Sequence, residues 1–287
     1  MDHKLYLKDK GIFKKNNKFY FNISKKEVVD QNDLTRLNGL VVPPAWQNVW
    51  YASNLKCHIQ VYGTDASGKK QYILSEKWIN TSRAKKFNRM KNFIRDLELF
   101  KKKIKNKEIL IHLLFNLLLD THVRVGNEIY AEKNNTFGLT TFRQKHLKLI
   151  NGEYFFEFTG KSNINHCVFI PKKYYVYLQK LIFKNKEKRL FPGVTSEILN
   201  NYLKEYMGRE YTCKDFRTYS ANILFIKAFL KNKNILKSID SSASFLGHTR
   251  TICKKSYISN NLIDFCRDNY DLAVGLSEEL LLSKSWT

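Results

Sequence analysis

Residues 1 to about 75 read as short β-type runs. Lys18-Phe19-Tyr20-Phe21 and His58-Ile59-Gln60-Val61-Tyr62 are two of them, and the turn signal Asp65-Ala66-Ser67-Gly68 leads into a third, Gln71-Tyr72-Ile73-Leu74. From Thr81 onward the period changes. Phe87, Met90, Ile94, Leu97 and Phe100 recur at three- and four-residue spacing, which predicts a helix whose first turns are crowded by Arg83, Lys85, Lys86, Arg89 and Lys91. The change places a boundary near residues 75–80 and predicts a β-rich domain over 1–77 and a larger domain over 78–287.

Within the larger domain, Ile109 to Asp120 is apolar nearly all round, with His112, Asn116 and Asp120 as a narrow polar stripe. Such a helix belongs in a core, and His112 reads as a hydrogen-bonded core residue. Asn151-Gly152 sits between Leu147-Lys148-Leu149-Ile150 and Tyr154-Phe155-Phe156-Glu157-Phe158, the signature of a two-residue hairpin turn. A second turn, Gly160 to Asn165, leads into Cys167-Val168-Phe169-Ile170 and puts Lys161 at a hairpin tip in a small sheet. The rest predicts helices over about 196–207, closed by Gly208, and about 214–231, shorter ones around Ser242–Leu246 and Thr251–Ile258, and a packing helix in the last 25 residues. The class is α+β, with the second domain mainly helical.

Composition narrows the partner. In 287 residues, 50 Lys and Arg stand against 26 Asp and Glu, a formal charge of +24 spread along most of the chain. A polyanion releases counterions when such a surface docks on it, so nucleic acid is the expected partner, a genome biased toward Lys and Asn being the other source of the lysine count. No obligatory protein partner is expected. Cys57, Cys167, Cys213, Cys253 and Cys266 are odd in number and lack short paired spacing, which argues against a disulfide framework or zinc site and for a reducing compartment. No metal or other cofactor is expected. Met1-Asp2-His3-Lys4 lacks a signal-peptide core, and the most apolar stretch, Ile109 to Leu119, falls short of the roughly 18–20 residues of a membrane span. The expectation is a soluble intracellular protein.

Five residues together suit the attack of a tyrosine on a phosphodiester. Tyr257 follows two lysines, nine residues after His248 in Ser244-Phe245-Leu246-Gly247-His248-Thr249. Arg217, in Lys214-Asp215-Phe216-Arg217-Thr218-Tyr219, lies at a predicted helix start, where free amides and the dipole favour a phosphate; a surface arginine paired with Asp215 is the other reading. Arg124, in Val123-Arg124-Val125-Gly126-Asn127-Glu128, lies just past the buried helix, and could instead form a structural ion pair with Asp120 or Glu128. Gly160-Lys161-Ser162 resembles the end of a P-loop, but Phe155 stands where the earlier glycine belongs and no helix follows. Two arginines can neutralise non-bridging oxygens, a histidine can donate to one, a lysine can protonate a leaving oxygen and a phenol can attack.

Six segments in order resemble the type IB DNA topoisomerases of the small poxvirus-like and bacterial group: Val42-Pro43-Pro44-Ala45-Trp46, Gly63 to Tyr72, Val123 to Glu128, Phe158-Thr159-Gly160-Lys161, Lys214 to Tyr219, and Leu246-Gly247-His248-Thr249 through Tyr257. The resemblance implies a bilobed monomeric clamp around duplex DNA, with a small β-rich lobe and a mainly helical catalytic lobe. It implies that Tyr257 forms a 3′-phosphotyrosyl bond, Arg124 and Arg217 bind the scissile phosphate, His248 donates to a non-bridging oxygen and Lys161 protonates the departing 5′-oxygen. Supercoils would relax by strand rotation before religation, without ATP. Gln71, Tyr72 and Tyr130 match DNA-contact positions. Asn127 replaces the lysine of well-known poxvirus members, so their cleavage preference does not transfer; His248 is the poxvirus-like choice where bacterial relatives commonly carry asparagine. The setting implied is virion and host cytoplasm for a virus, or bacterial cytoplasm otherwise. A tyrosine recombinase or integrase shares the catalytic fold and the histidine-to-tyrosine spacing, but usually has a histidine where this chain has Lys214 and lacks the Pro-Pro-Ala-Trp lobe. A DNA clamp without catalysis would explain the charge and leave the five groups unexplained.

Overall fold

The structure, a computed structural model, describes residues 11–104, 109–182, 187–276 and the single residues 281, 282 and 284. The chain divides into two compact units, Met1–Lys86 and Phe87–Thr287.

The first unit is an antiparallel sheet of β1 (Gly11–Lys15), β2 (Lys18–Phe21), β3 (Gln47–Ala52), β4 (Ile59–Thr64) and β5 (Lys70–Leu74) in the order β2-β1-β3-β4-β5. Asn16 and Asn17, at φ 48° and 64°, make the tight β1–β2 turn that asparagine tolerates. Ile12, Phe19, Val28, Leu37, Tyr51 and Val61 form its small core. The sequence pattern gave no helix here, yet α1 (Gln31–Gly39) is present. It buries Leu37 alone, too narrow a stripe for a periodic signal, and is started by the Asp30 carboxylate, which accepts from the Asp33 amide at 2.9 Å. A second carboxylate shapes the β4–β5 turn: Asp65 accepts from Ser67 N, Ser67 Oγ and Lys69 N at 3.0, 2.6 and 3.0 Å, and these donors help hold its pKa down at about 2.

Helix α2 runs from Glu76 to Ile104, starting at Glu76 and not at Thr81, so the basic residues from Arg83 to Lys91 lie beyond its first turn. Met90, Phe93, Leu97, Phe100 and Ile104 supply its buried stripe in the second unit. They meet α3 (Ile109–Thr121) and the central α7 (Cys213–Asn232) edge-to-face: Phe93 on Phe216 at 5.3 Å and Phe100 on Phe115 at 4.9 Å. Each fully buried ring of this kind stabilises by about 1.5–3 kcal/mol over an exposed one. The polar stripe of α3 is satisfied: Asn116 donates to the His112 carbonyl at 3.0 Å, and Asp120 accepts from Tyr174 Oη and pairs with Lys173, both at 2.6 Å.

Between these helices lie α4 (Glu128–Asn134), the sheet β6 (Leu147–Ile150), β7 (Glu153–Thr159) and β8 (Asn165–Phe169), then α5 (Tyr175–Gln179) and α6 (Ser196–Tyr206). Ile150 pairs with Glu153 across Asn151-Gly152, whose φ values of 49° and 80° are those the hairpin turn requires. Gly208, at φ 141°, follows α6. After α7 come α8 (Ile235–Phe245), α9 (Arg250–Ser256), α10 (Asn260–Asp268) and α11 (Tyr270–Gly275). Helix α8 begins well before the predicted Ser242, and the single packing helix expected in the last 25 residues is instead the end of α10 followed by α11, as far as the described residues extend. All five cysteines are free thiols. Among the described residues no helix is long and apolar enough to cross a membrane, and no cluster of three His, Cys, Asp or Glu side chains could hold a metal.

Candidate active site

The site is built around α7. Asp215 fixes its first turn by accepting from Thr212 N and Oγ1 at 2.9 and 3.0 Å, and pairs with Arg89 at 2.6 Å. Asp215 is therefore committed elsewhere, and the Arg217–Asp215 pair considered from sequence does not form. Arg217 is the fifth residue of α7, past the free amides of the helix start, and is 8% exposed. Its guanidinium donates to two backbone carbonyls, those of His122 and Leu246. Burial first, and Arg124 second, pull its pKa down to about 9.

Arg124 lies in the extended segment between α3 and α4. Gly126 and Gly138 let two backbone strands meet behind it: a Cβ on Gly138 would lie 2.6 Å from the Arg124 carbonyl oxygen. The ion pairs considered for it are absent, since Asp120 is taken by Lys173 and Glu128 by Arg189. Arg124 Nη2 instead lies 2.9 Å from His248 Nε2. A guanidinium only donates, so Nε2 accepts and the neutral imidazole carries its proton on Nδ1. Burial and the charges of Arg217, Arg124 and Lys161 hold the His248 pKa at about 3. No carboxylate among the described residues pairs with Arg124 or Arg217.

His248 follows Gly247, whose φ of 61° makes the turn between α8 and α9. Its ring stacks on Tyr257 with centroids 4.4 Å apart and planes 19° from parallel. Tyr257 closes α9, with its amide bonded to the Cys253 carbonyl at 2.9 Å. One residue missed from sequence fixes this main chain. Asn222, wholly buried on α7, donates to the Tyr257 carbonyl at 3.0 Å and accepts from the Ser259 amide at 2.9 Å. The only sequence signal was an asparagine among Ala221, Ile223 and Leu224.

Lys161 lies in the exposed turn between β7 and β8, with Ser162 and Asn163 left-handed at φ 65° and 56°. Electrostatic coupling through His248 and Arg217 ties Arg124, Lys161, Arg217, His248 and Tyr257 into one site. A second residue missed from sequence, His166, adjoins it, and burial first, then the charges of Arg124 and Arg217, lower its pKa. Arg217 Nε, His248 Nδ1 and His166 Nε2 are buried with no hydrogen-bond partner. Two guanidinium groups without a carboxylate partner, one of them with its Nε orphaned, suit a tetrahedral oxyanion.

The remaining sequence candidates lie on other elements. Gln71 and Tyr72 lie on β5 in the first unit: Gln71 donates its amide to Asp65 Oδ2 at 2.7 Å, and Tyr72 is 47% exposed beside Tyr62. Tyr130 is 53% exposed on α4.

Residues 75–264 match the family of the eukaryotic DNA topoisomerase I catalytic core, and residues 18–65 match the bacterial DNA topoisomerase IB N-terminal domain. The chain is 34% identical to DNA topoisomerase 1B of Acanthamoeba polyphaga mimivirus, over 90% of this chain and 88% of that protein. It is 27% identical to DNA topoisomerase 1B of Vaccinia virus (strain Copenhagen), over 74% of each chain. Among solved structures, a XerH site-specific recombinase bound to a palindromic difH substrate aligns over 61% of this chain and 51% of its own, with a TM-score of 0.41 and 17% identity.

Proposed function

Because this chain belongs to the type IB DNA topoisomerases, we propose that it cuts one DNA strand by attack of Tyr257 on a phosphodiester held by Arg124 and Arg217. The observation that carries this reading is the arrangement at Tyr257: a phenol stacked on a neutral histidine, beside the buried Arg217 and the half-buried Arg124, neither of which pairs with a carboxylate among the described residues. The phenolic oxygen bonds to phosphorus, its proton passes to water, and the bond from phosphorus to the 5′-oxygen breaks. Lys161 supplies the proton that the departing oxygen takes up. The two guanidinium groups stabilise charge growing on the equatorial oxygens of the transition state and favour the phenolate.

His248 changes partner in this scheme. Arg124 turns to the phosphate and frees His248 Nε2; the anion raises the histidine's affinity for a proton, Nε2 takes one up from water, and the ring becomes a donor to a non-bridging oxygen. The energy of the broken bond is kept in the 3′-phosphotyrosyl link. After the cut strand has rotated, the 5′-hydroxyl attacks that link and Tyr257 leaves. Neither ATP nor metal enters any step.

Duplex DNA is the substrate. The enzyme acts as a monomer that closes its two units on the duplex, with Gln71, Tyr72 and Tyr130 among the groups that meet it and without an obligatory protein partner. Free cysteines suit a reducing compartment, either virion and host cytoplasm or a bacterial cytoplasm. The +24 charge supports DNA binding that weakens roughly 10³-fold or more between low and moderate salt. The test is relaxation of positively and negatively supercoiled plasmid in chelator without nucleotide, followed by sequencing of DNA ends trapped on the protein. Full relaxation and trapped 3′ ends are expected; an absolute need for magnesium or ATP, or trapped 5′ ends, would sink the reading.

A further inference from the structure

We infer that His166 is a positioning residue whose imidazole, seated between Gly160 and Gly247, sets the Lys161 turn against the His248 turn. This rests on the reading of Lys161 as the acid. The register Phe158↔His166 puts His166 on the same face of the sheet as Phe158, and the two rings stack at 5.1 Å with planes 20° apart. Gly160 has φ −97° and ψ −170°, an extended backbone that any residue adopts, so its conformation gives no reason for glycine. Space does. A Cβ there would lie 2.8 Å from His166 Cδ2 and 2.9 Å from Nε2. On the other side, a Cβ on Gly247 would lie 2.8 Å from His166 Cε1 and 3.2 Å from Nε2. Both glycines thus leave room for one flat ring, and each adjoins a residue of the proposed chemistry: Lys161 follows Gly160 and His248 follows Gly247.

The Lys161 turn needs such a support. Gly160 N donates across its base to Ile164 O at 2.7 Å, and Ser162 and Asn163 are both left-handed. Non-glycine residues in that region persist where surrounding structure over-determines them. His166 Nε2 has no hydrogen-bond partner, so at that atom the ring acts by shape. A neutral ring suits this seat, since a charged one would stand unpaired beside Arg124 and Arg217.

The test compares single-turnover cleavage of two duplexes, one with an ordinary 5′-oxygen leaving group and one with a 5′-bridging sulfur that leaves without a proton. His166→Ala should slow the oxygen substrate by about 10–10²-fold, the scale of a small misplacement, and the sulfur substrate by less than about 3-fold. His166→Phe, which keeps a flat ring, should retain the wild-type ratio of the two rates. Gly160→Ala should reproduce the selective loss, yet add nothing to His166→Ala, because its Cβ then enters vacated space. Equal slowing of both substrates by His166→Ala, failure of His166→Phe to rescue the ratio, or losses that multiply in the double variant would each overturn the inference. Lys161→Ala run alongside separates the premises: if it slows both substrates equally, the acid assignment fails, while the glycine–histidine cycle still judges the seat.

Discussion

Helix α7 and the β7–β8 turn each bring a cation to the same site, yet the chain holds them in opposite ways. Arg217 is buried, gripped by two carbonyls, on a helix whose first turn is fixed by Asp215. Lys161 is exposed in a turn with two left-handed residues. The difference follows the proposed roles. A group that stabilises charge on fixed oxygens gains from being preorganised, because no reorganisation then accompanies reaction. A group that meets the leaving oxygen must reach an atom that DNA brings and later carries away.

The comparison breaks most severely at Tyr257. Tyr257→Phe should abolish the covalent adduct and relaxation while leaving duplex affinity nearly unchanged, since only the attacking oxygen is lost. Tyr211, bonded to Asp96 at 2.7 Å, and Tyr219, packed on Phe93, serve as controls whose phenylalanine variants still form a denaturation-resistant complex. An adduct on the Tyr257→Phe protein would move the nucleophile elsewhere.

Arg217→Met tests the buried side. Cleavage should fall on the order of 10²–10³-fold, as for loss of a transition-state donor. Stability should change little, because relief of an uncompensated buried charge offsets two lost carbonyl bonds. A fall in Tm above about 5 °C, corresponding to roughly 1–3 kcal/mol in a domain of this size, would make Arg217 a structural residue first. Lys161→Ala tests the exposed side: a loss of about 10²–10⁴-fold on the oxygen leaving group, small on sulfur, with Tm unchanged. Equal losses on both leaving groups would make Lys161 a phosphate contact.

The effect on cleavage is smallest, and that on stability appreciable, when pH is the variable. Burial is the largest cause in lowering His248 to about 3 and both His122 and His146 to about 4, from an ordinary 6.5. The unfolded chain therefore binds more protons than the folded one between these values, and stability is lost as pH falls from 6.5 toward 4. Calorimetry across that window should show a falling Tm and net proton uptake on unfolding. A Tm flat down to pH 4.5 would mean that these rings are better solvated than the fold implies.

The sequence made these features legible to unequal degrees. Hairpin β6–β7 was readable because Asn151-Gly152 states its turn chemistry within two residues, and α3 because its apolar face is nearly continuous. The first half of α8 was hidden because its inward stripe of Ile235 and Ile239 is short and shares the buried face with a serine: Ser238 is wholly buried and bonds to the Asn234 carbonyl, as Ser242 does further on to that of Ala221. The five reactive candidates stood in recognisable segments. Asn222 and His166 did not, because what they do depends on partners 35 residues away for Tyr257 and on the space left by two glycines.

Asn222 has a mechanical consequence. It holds the backbone just past the nucleophile, at the Tyr257 carbonyl and the Ser259 amide, to the helix that bears Arg217, so the phosphate grip and Tyr257 share one mount. On the proposed chemistry, a 3′ end bonded to Tyr257 is clamped to that mount and cannot spin in its socket. The torque stored in a supercoil is then released on the other side of the break, where the downstream duplex turns like a shaft about the bonds of the uncut strand.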